Sequence, residues 1–302
     1  MFTNALLIIL WYIFLYRKKN LQPLLNSSKS CPKRAKKHRS QKCKRLTNLF
    51  LILVFIIPVG LATIYAYLAH ETEDEAALWT YGYDIYDKRY RAAANFICSY
   101  AYFANYVGFP CLVTLTTCML VHRYGHILFR LKKSFKVDHT SNACMMYSRI
   151  LEDYRLMEEK FRVLQDSLSV PLFLLLSICF LNLFSVLSAG LQFEIAAHHM
   201  VEMCSSTATG IIILFSLAFF CCKVPEEILE IKTALGSLID KQQFSYLKGV
   251  KDVFLLHRVE KKDVAHLSAC GIIDFKRSFL PSAIGALFTY GLLITNLKIK
   301  RD

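Results

Sequence analysis

Apolar positions along the chain gather into six uninterrupted runs: residues 4–16, 49–69, 93–121, 170–193, 207–222 and 278–297. A hydrocarbon core roughly 30 Å thick needs about 20 such residues per helical crossing. The first run, at 13 residues, is short for this and predicts a tilted or clipped span. The third has 29 residues, about 43 Å as a helix, and should project beyond the bilayer. Every backbone group in such a span must be satisfied internally, which leaves helices or a closed barrel, and the runs lack a barrel's alternation. The pattern therefore predicts an all-α polytopic bundle of six spans. No repeat, Gly/Ser linker or low-complexity tract divides it, so residues 1–302 are read as one transmembrane domain. Pro58, Pro110 and Pro281 fall at kinks or first-turn positions, and Pro171 opens its span.

Between the spans the periodicity changes. In 148–168, Ile150, Tyr154, Met157, Phe161, Leu164 and Leu168 recur at spacings of 4, 3, 4, 3 and 4. That is an amphipathic helix packing on protein. In 223–238, Ile228, Ile231, Leu235 and Leu238 behave alike, so the long helices should form an anchor layer on the cytoplasmic side.

Composition agrees with a lipid solvent: the chain is 55% hydrophobic, with a mean hydropathy of +0.35. The net charge of +14 raises nucleic acid as a partner until its placement is examined. Residues 17–48 hold 12 Lys or Arg and no acid, and taking alternate loops as inside leaves 31 basic residues there against 6 outside. This sorting marks cytoplasmic loops. With six spans, it predicts both termini outside and no nucleic-acid partner. The run 33–45 also looks like a nuclear-localisation or RNA-binding patch, but between two spans it serves topology and contact with anionic lipid.

The loop 71–92 carries six acids, Glu71, Glu73, Asp74, Glu75, Asp84 and Asp87, followed by Trp79, Tyr81, Tyr83, Tyr86 and Tyr90. Two readings stand: aromatic residues at headgroup level, or a cation-attracting vestibule over a ligand site. The 11 cysteines are scattered, unlike the framework of a small secreted domain. Cys98 and Cys204 near the outer face are the pair that could bridge, and Cys31 and Cys43 lack zinc-site spacing. The first run is read as a retained helix and not a signal peptide, because its positive charges follow it and no small-residue cleavage site comes after.

No charged side chain lies inside any run, and the strongest polar groups include Asn105, Asn182 and Asn296. Coupled transporters and pumps generally need intramembrane carboxylates or histidines, so transport is disfavoured. No phosphate-cradling loop, HExxH pair or nucleophile elbow appears; no catalytic residue, metal site or cofactor is assigned. His198 and His199 could bind a metal, though adjacent exposed histidines are commonly incidental. His122-Arg123-Tyr124 closes the third run like the acidic-Arg-Tyr element of rhodopsin-like receptors. A G-protein-coupled receptor is accordingly the rival reading. His stands where that element has an acid, the next cytoplasmic connection runs some 48 residues, and no Asn-Pro-x-x-Tyr span follows.

The C-terminal segment is more specific. From Gly271 it reads Gly-Ile-Ile-Asp-Phe-Lys-Arg-Ser-Phe-Leu-Pro-Ser-Ala-Ile-Gly-Ala-Leu-Phe-Thr-Tyr-Gly-Leu-Leu-Ile-Thr-Asn-Leu. This resembles the signature of the arthropod gustatory receptor family, with Gly271, Gly285, Ala286, Thr289 and Tyr290 matching in order and spacing. Asn296 and Leu297 stand where that family usually has Gln and Phe. The family has seven spans with the C-terminus outside, so six spans here imply that its first helix is missing from this chain. The resemblance implies a ligand-gated, non-selective cation channel subunit in taste perception, assembled as a homo- or hetero-tetramer around a pore lined by the final helix. It places Thr289 and Tyr290 in the pore helix, and Ile294, Asn296 and Leu297 near its outer constriction. An uncharged 278–297 could gate only as a dewetting apolar constriction. The implied ligand is a small-molecule tastant in the outer half of each subunit. Phe96, Tyr100 and Phe103 on one face of the third run, and Phe184 in the fourth, are the aromatic pointers to its pocket, at a spacing that packing also uses.

Overall fold

The computed structural model describes residues 2–26, 37–71, 87–137, 143–190, 197–243, 257 and 261–299. Its long elements are helical: α1 (Phe2–Asn26), α2 (Lys37–Glu71), α3 (Lys88–Phe103), α4 (Phe109–Val137), α5 (Ala143–Gly190), α6 (Ala197–Gln243) and α7 (Phe279–Ile299). A π-turn, Ala104–Gly108, joins α3 to α4, and a short antiparallel hairpin, β1 (Ser268–Ala269) with β2 (Ile273–Asp274), precedes α7. Among the described residues, four stretches are long and apolar enough to cross a membrane: Thr47–Leu68, Arg89–Phe129, Arg149–Gly190 and His199–Ser237. Thr3–Tyr16 and Phe279–Leu293 are shorter apolar helices.

Helices α5 and α6, of 48 and 47 residues, each run about 70 Å, more than twice the hydrocarbon thickness. The amphipathic stretch and the span after it are thus one helix. Pro171 does not start a helix, as the spacing predicts, but sits buried inside α5. Packed neighbours allow such a residue to be carried through. The whole stripe from Ile150 to Leu168 is buried and continues through Leu172, Leu175 and Leu176. It meets Tyr124, Leu128 and Leu131 of α4 and Ile228, Ile231 and Leu235 of α6 in one core cluster. The side chain of Leu238 lies outside the described residues.

Polar pairs tie this basic end together. Lys132 on α4 pairs with Glu230 on α6, and Lys262 pairs with Glu158 on α5. Gln165 bonds Ser268 three times, through its amide nitrogen to the carbonyl at 3.0 Å and hydroxyl at 2.7 Å, and through its oxygen to the backbone N–H at 3.0 Å. The hairpin is therefore docked on α5, with Leu267, Ala269 and Phe275 buried. At its tip Cys270 and Gly271 have φ of 53° and 69°. Gly271 supplies the left-handed backbone that L side chains adopt only with strain.

The π-turn has a local cause. Pro110 has no N–H to give the Tyr106 carbonyl, and the backbone widens over the five residues just before Phe109. Gly108 in that turn faces α2, where an added Cβ would touch Pro58 Cγ at 3.4 Å.

Candidate functional site

Two groups of residues emerge, one on α7 and one where α2, α3 and α6 meet. On α7, Arg277 Nε donates to Glu226 Oε1 at 2.6 Å, and Phe275 packs on Phe279 at a centroid distance of 4.9 Å, so the helix is held at its foot. Above that foot it is largely uncovered: Ile284, Phe288, Tyr290, Leu292 and Leu293 are exposed. Thr289 turns its hydroxyl back to the Gly285 carbonyl at 2.8 Å, satisfying itself within the helix. Among the described residues, an added Cβ at Gly285 would meet nothing within 4 Å. Tyr290 packs edge to face on Phe184 of α5, with centroids 5.0 Å apart. Asn296 is exposed, while the side chains of Ile294 and Leu297 lie outside the described residues.

Of the four aromatic residues singled out for a pocket, three stand together and one does not. Phe96 and Tyr100 stack at 6.5 Å, and Phe103 is buried against Tyr65 of α2 at 6.0 Å. Phe184 instead belongs with Phe180 and Tyr290. The junction of α2, α3 and α6 also contains residues that the 3.6-residue stripe did not single out. Tyr102 donates its hydroxyl to the Glu202 carboxylate of α6 and stacks on Tyr106 at 4.4 Å. Pro110 was the available signal, because the π-turn it induces changes which faces follow one another along the helix.

Other sequence candidates resolve simply. Cys98 and Cys204 are both free thiols. Tyr124 is a core residue, its hydroxyl donating to the Met157 carbonyl at 3.4 Å and its ring lying 5.7 Å from Phe161. His122 makes ring contacts with His126 and Phe220. Among the described residues no three His, Cys, Asp or Glu side chains are placed to hold a metal.

The sequence model described as 7tm Chemosensory receptor matches residues 1–299. The chain belongs to the 7tm chemosensory receptor family. Two solved structures of the insect olfactory receptor OR5 from Machilis hrabei share the fold at a TM-score of 0.60 and 14% identity. One is the receptor alone, covering 97% of this chain and 78% of that one; the other is its complex with eugenol, covering 98% and 79%. A search of curated proteins by sequence finds no match. This chemosensory receptor is thus a helical membrane bundle.

Proposed function

We propose that this chemosensory receptor is a subunit of a ligand-gated, non-selective cation channel in taste, with α7 as its pore helix. The observation carrying this reading is the surface of α7. A 21-residue helix of high hydrophobicity leaves Ile284, Phe288, Tyr290, Leu292 and Leu293 uncovered in the single chain, with open space over Gly285. One helix cannot enclose a pore, so several copies, of this chain or of relatives, surround an axis with closed symmetry. Four is the number the family resemblance implies.

The basic sorting supports placing the 17–48 loop inside the cell and the C-terminus outside, in the plasma membrane. The relative solved with eugenol supports a small molecule as the activating partner. Burial of Tyr124 in the core favours packing over a G-protein-coupling role for His122-Arg123-Tyr124.

The test is electrical. In cells lacking G-protein signalling, the surface-expressed chain with any co-receptor it requires should pass a cation current within milliseconds of ligand addition. Responses that require a G protein would overturn the channel reading.

A further inference from the structure

The junction of α2, α3 and α6 is built from groups that accept hydrogen bonds and attract positive charge. Asn95 and Ser99, one turn apart on α3, are 2% and 0% exposed, and among the described residues neither Asn95 Oδ1 nor Ser99 Oγ has a hydrogen-bond partner. Buried polar atoms in native structures are paired with rare exceptions, and an exception calls for an explanation such as an absent ligand. Further along the same helix, Tyr102 holds the Glu202 carboxylate through its hydroxyl. A carboxylate offers about four lone-pair sites, so one hydroxyl leaves acceptor capacity on Glu202. His199 Nδ1 stands 3.7 Å from the same carboxylate.

Aromatic rings adjoin the tyrosine that holds this acid. Tyr102 stacks on Tyr106 at 4.4 Å and meets Phe103 edge to face at 5.3 Å, and Phe103 meets Tyr65 at 6.0 Å. Ring faces carry negative potential and attract cations, more strongly where water is excluded. The π-turn, which begins at Ala104, contains Tyr106, and such turns recur at functional sites. The sequence between α2 and α3, residues 72–87, adds five acids and no Lys or Arg, a net negative segment that favours cations. A protonated amine supplies both a positive charge for the carboxylate, which lies beside His199, and N–H donors for the Asn95 and Ser99 oxygens.

We infer that this junction recognises an organic ammonium ion, with Glu202 as counter-ion, Tyr102 and Tyr106 as an aromatic wall, and Asn95 and Ser99 as acceptors. The inference rests on reading the chain as a small-molecule receptor and adds the chemical class of its ligand.

The test measures binding without current, using the full chain in lipid nanodiscs. Thermal stability is followed against tetramethylammonium, phenethylamine and tryptamine, and against the neutral isosteres phenethyl alcohol and tryptophol. At least one ammonium ion should stabilise the protein saturably, at concentrations about tenfold below its isostere or lower. Glu202→Gln should weaken that binding about tenfold, and Glu202→Asp should restore part of it. Tyr106→Leu should weaken ammonium binding more than alcohol binding, which keeps the test sound if Glu202→Gln folds poorly. Three results each overturn the inference: no ammonium ion binds, amine and alcohol bind alike, or binding survives both Glu202→Gln and Tyr106→Leu. Failure here leaves the channel reading intact, whereas ammonium binding that opens no current counts against the channel reading alone.

Discussion

The ring of Tyr290 meets Phe184 edge to face, 5.0 Å between centroids and 68° between planes, and so joins α7 to α5. Beside it, Leu187 of α5 lies 4.0 Å from where a Cβ on Gly291 would stand. The proposed pore helix therefore packs against α5 along a seam that includes this aromatic pair. Phe184, which the sequence assigns to a ligand pocket, belongs to this seam.

Phe184→Ala should change channel behaviour without unfolding the protein. Aromatic pairs contribute about 0.5–1.5 kcal/mol beyond area burial, so loss of the pair shifts an open–closed equilibrium by roughly 2- to 10-fold. Single-channel open probability without ligand measures this. Tyr290→Phe keeps the ring and should leave open probability near that of the wild type; equal effects from both changes would remove the seam from the gating argument.

Replacing Ile294 or Leu297 by Ser should raise the unliganded current, because a hydrated constriction no longer closes by dewetting. Steady holding current at zero ligand reads the effect. A current unchanged in both variants at equal surface expression would place the gate elsewhere.

Leu168→Ala should cost about 2–5 kcal/mol, since Leu168 is fully buried in the stripe that joins α5 to α4 and α6. Its melting temperature in detergent should fall by several degrees. Ile211→Ala on α6 removes an exposed side chain and should melt within about a degree of the wild type.

Orientation follows from where basic residues stand. A tag inserted near Lys36 should be labelled only after permeabilisation, and one near Asp74 on intact cells. The reverse pattern would invert the proposed topology and put the carboxylate junction on the wrong side for an external ligand.

What the sequence alone determined was whatever depends on length and period. Six apolar runs announced the helices, and the spacing from Ile150 to Leu168 marked a stripe that is buried in full. Gly271 stood in the motif, and its left-handed turn is the kind of position glycine serves. Tertiary structure decided partnership. Glu202 reaches Tyr102 across 100 positions, and Phe184 pairs with Tyr290 rather than with Phe96 and Phe103. In a membrane the apolar face that meets lipid is as hydrophobic as the one that meets protein, so hydrophobicity marks a span but not its buried side. The π-turn before Pro110 adds a local shift of face that no fixed period describes. Partner choice in this bundle thus comes from packing shape and from a few polar pairs, which become visible only when distant segments are brought together.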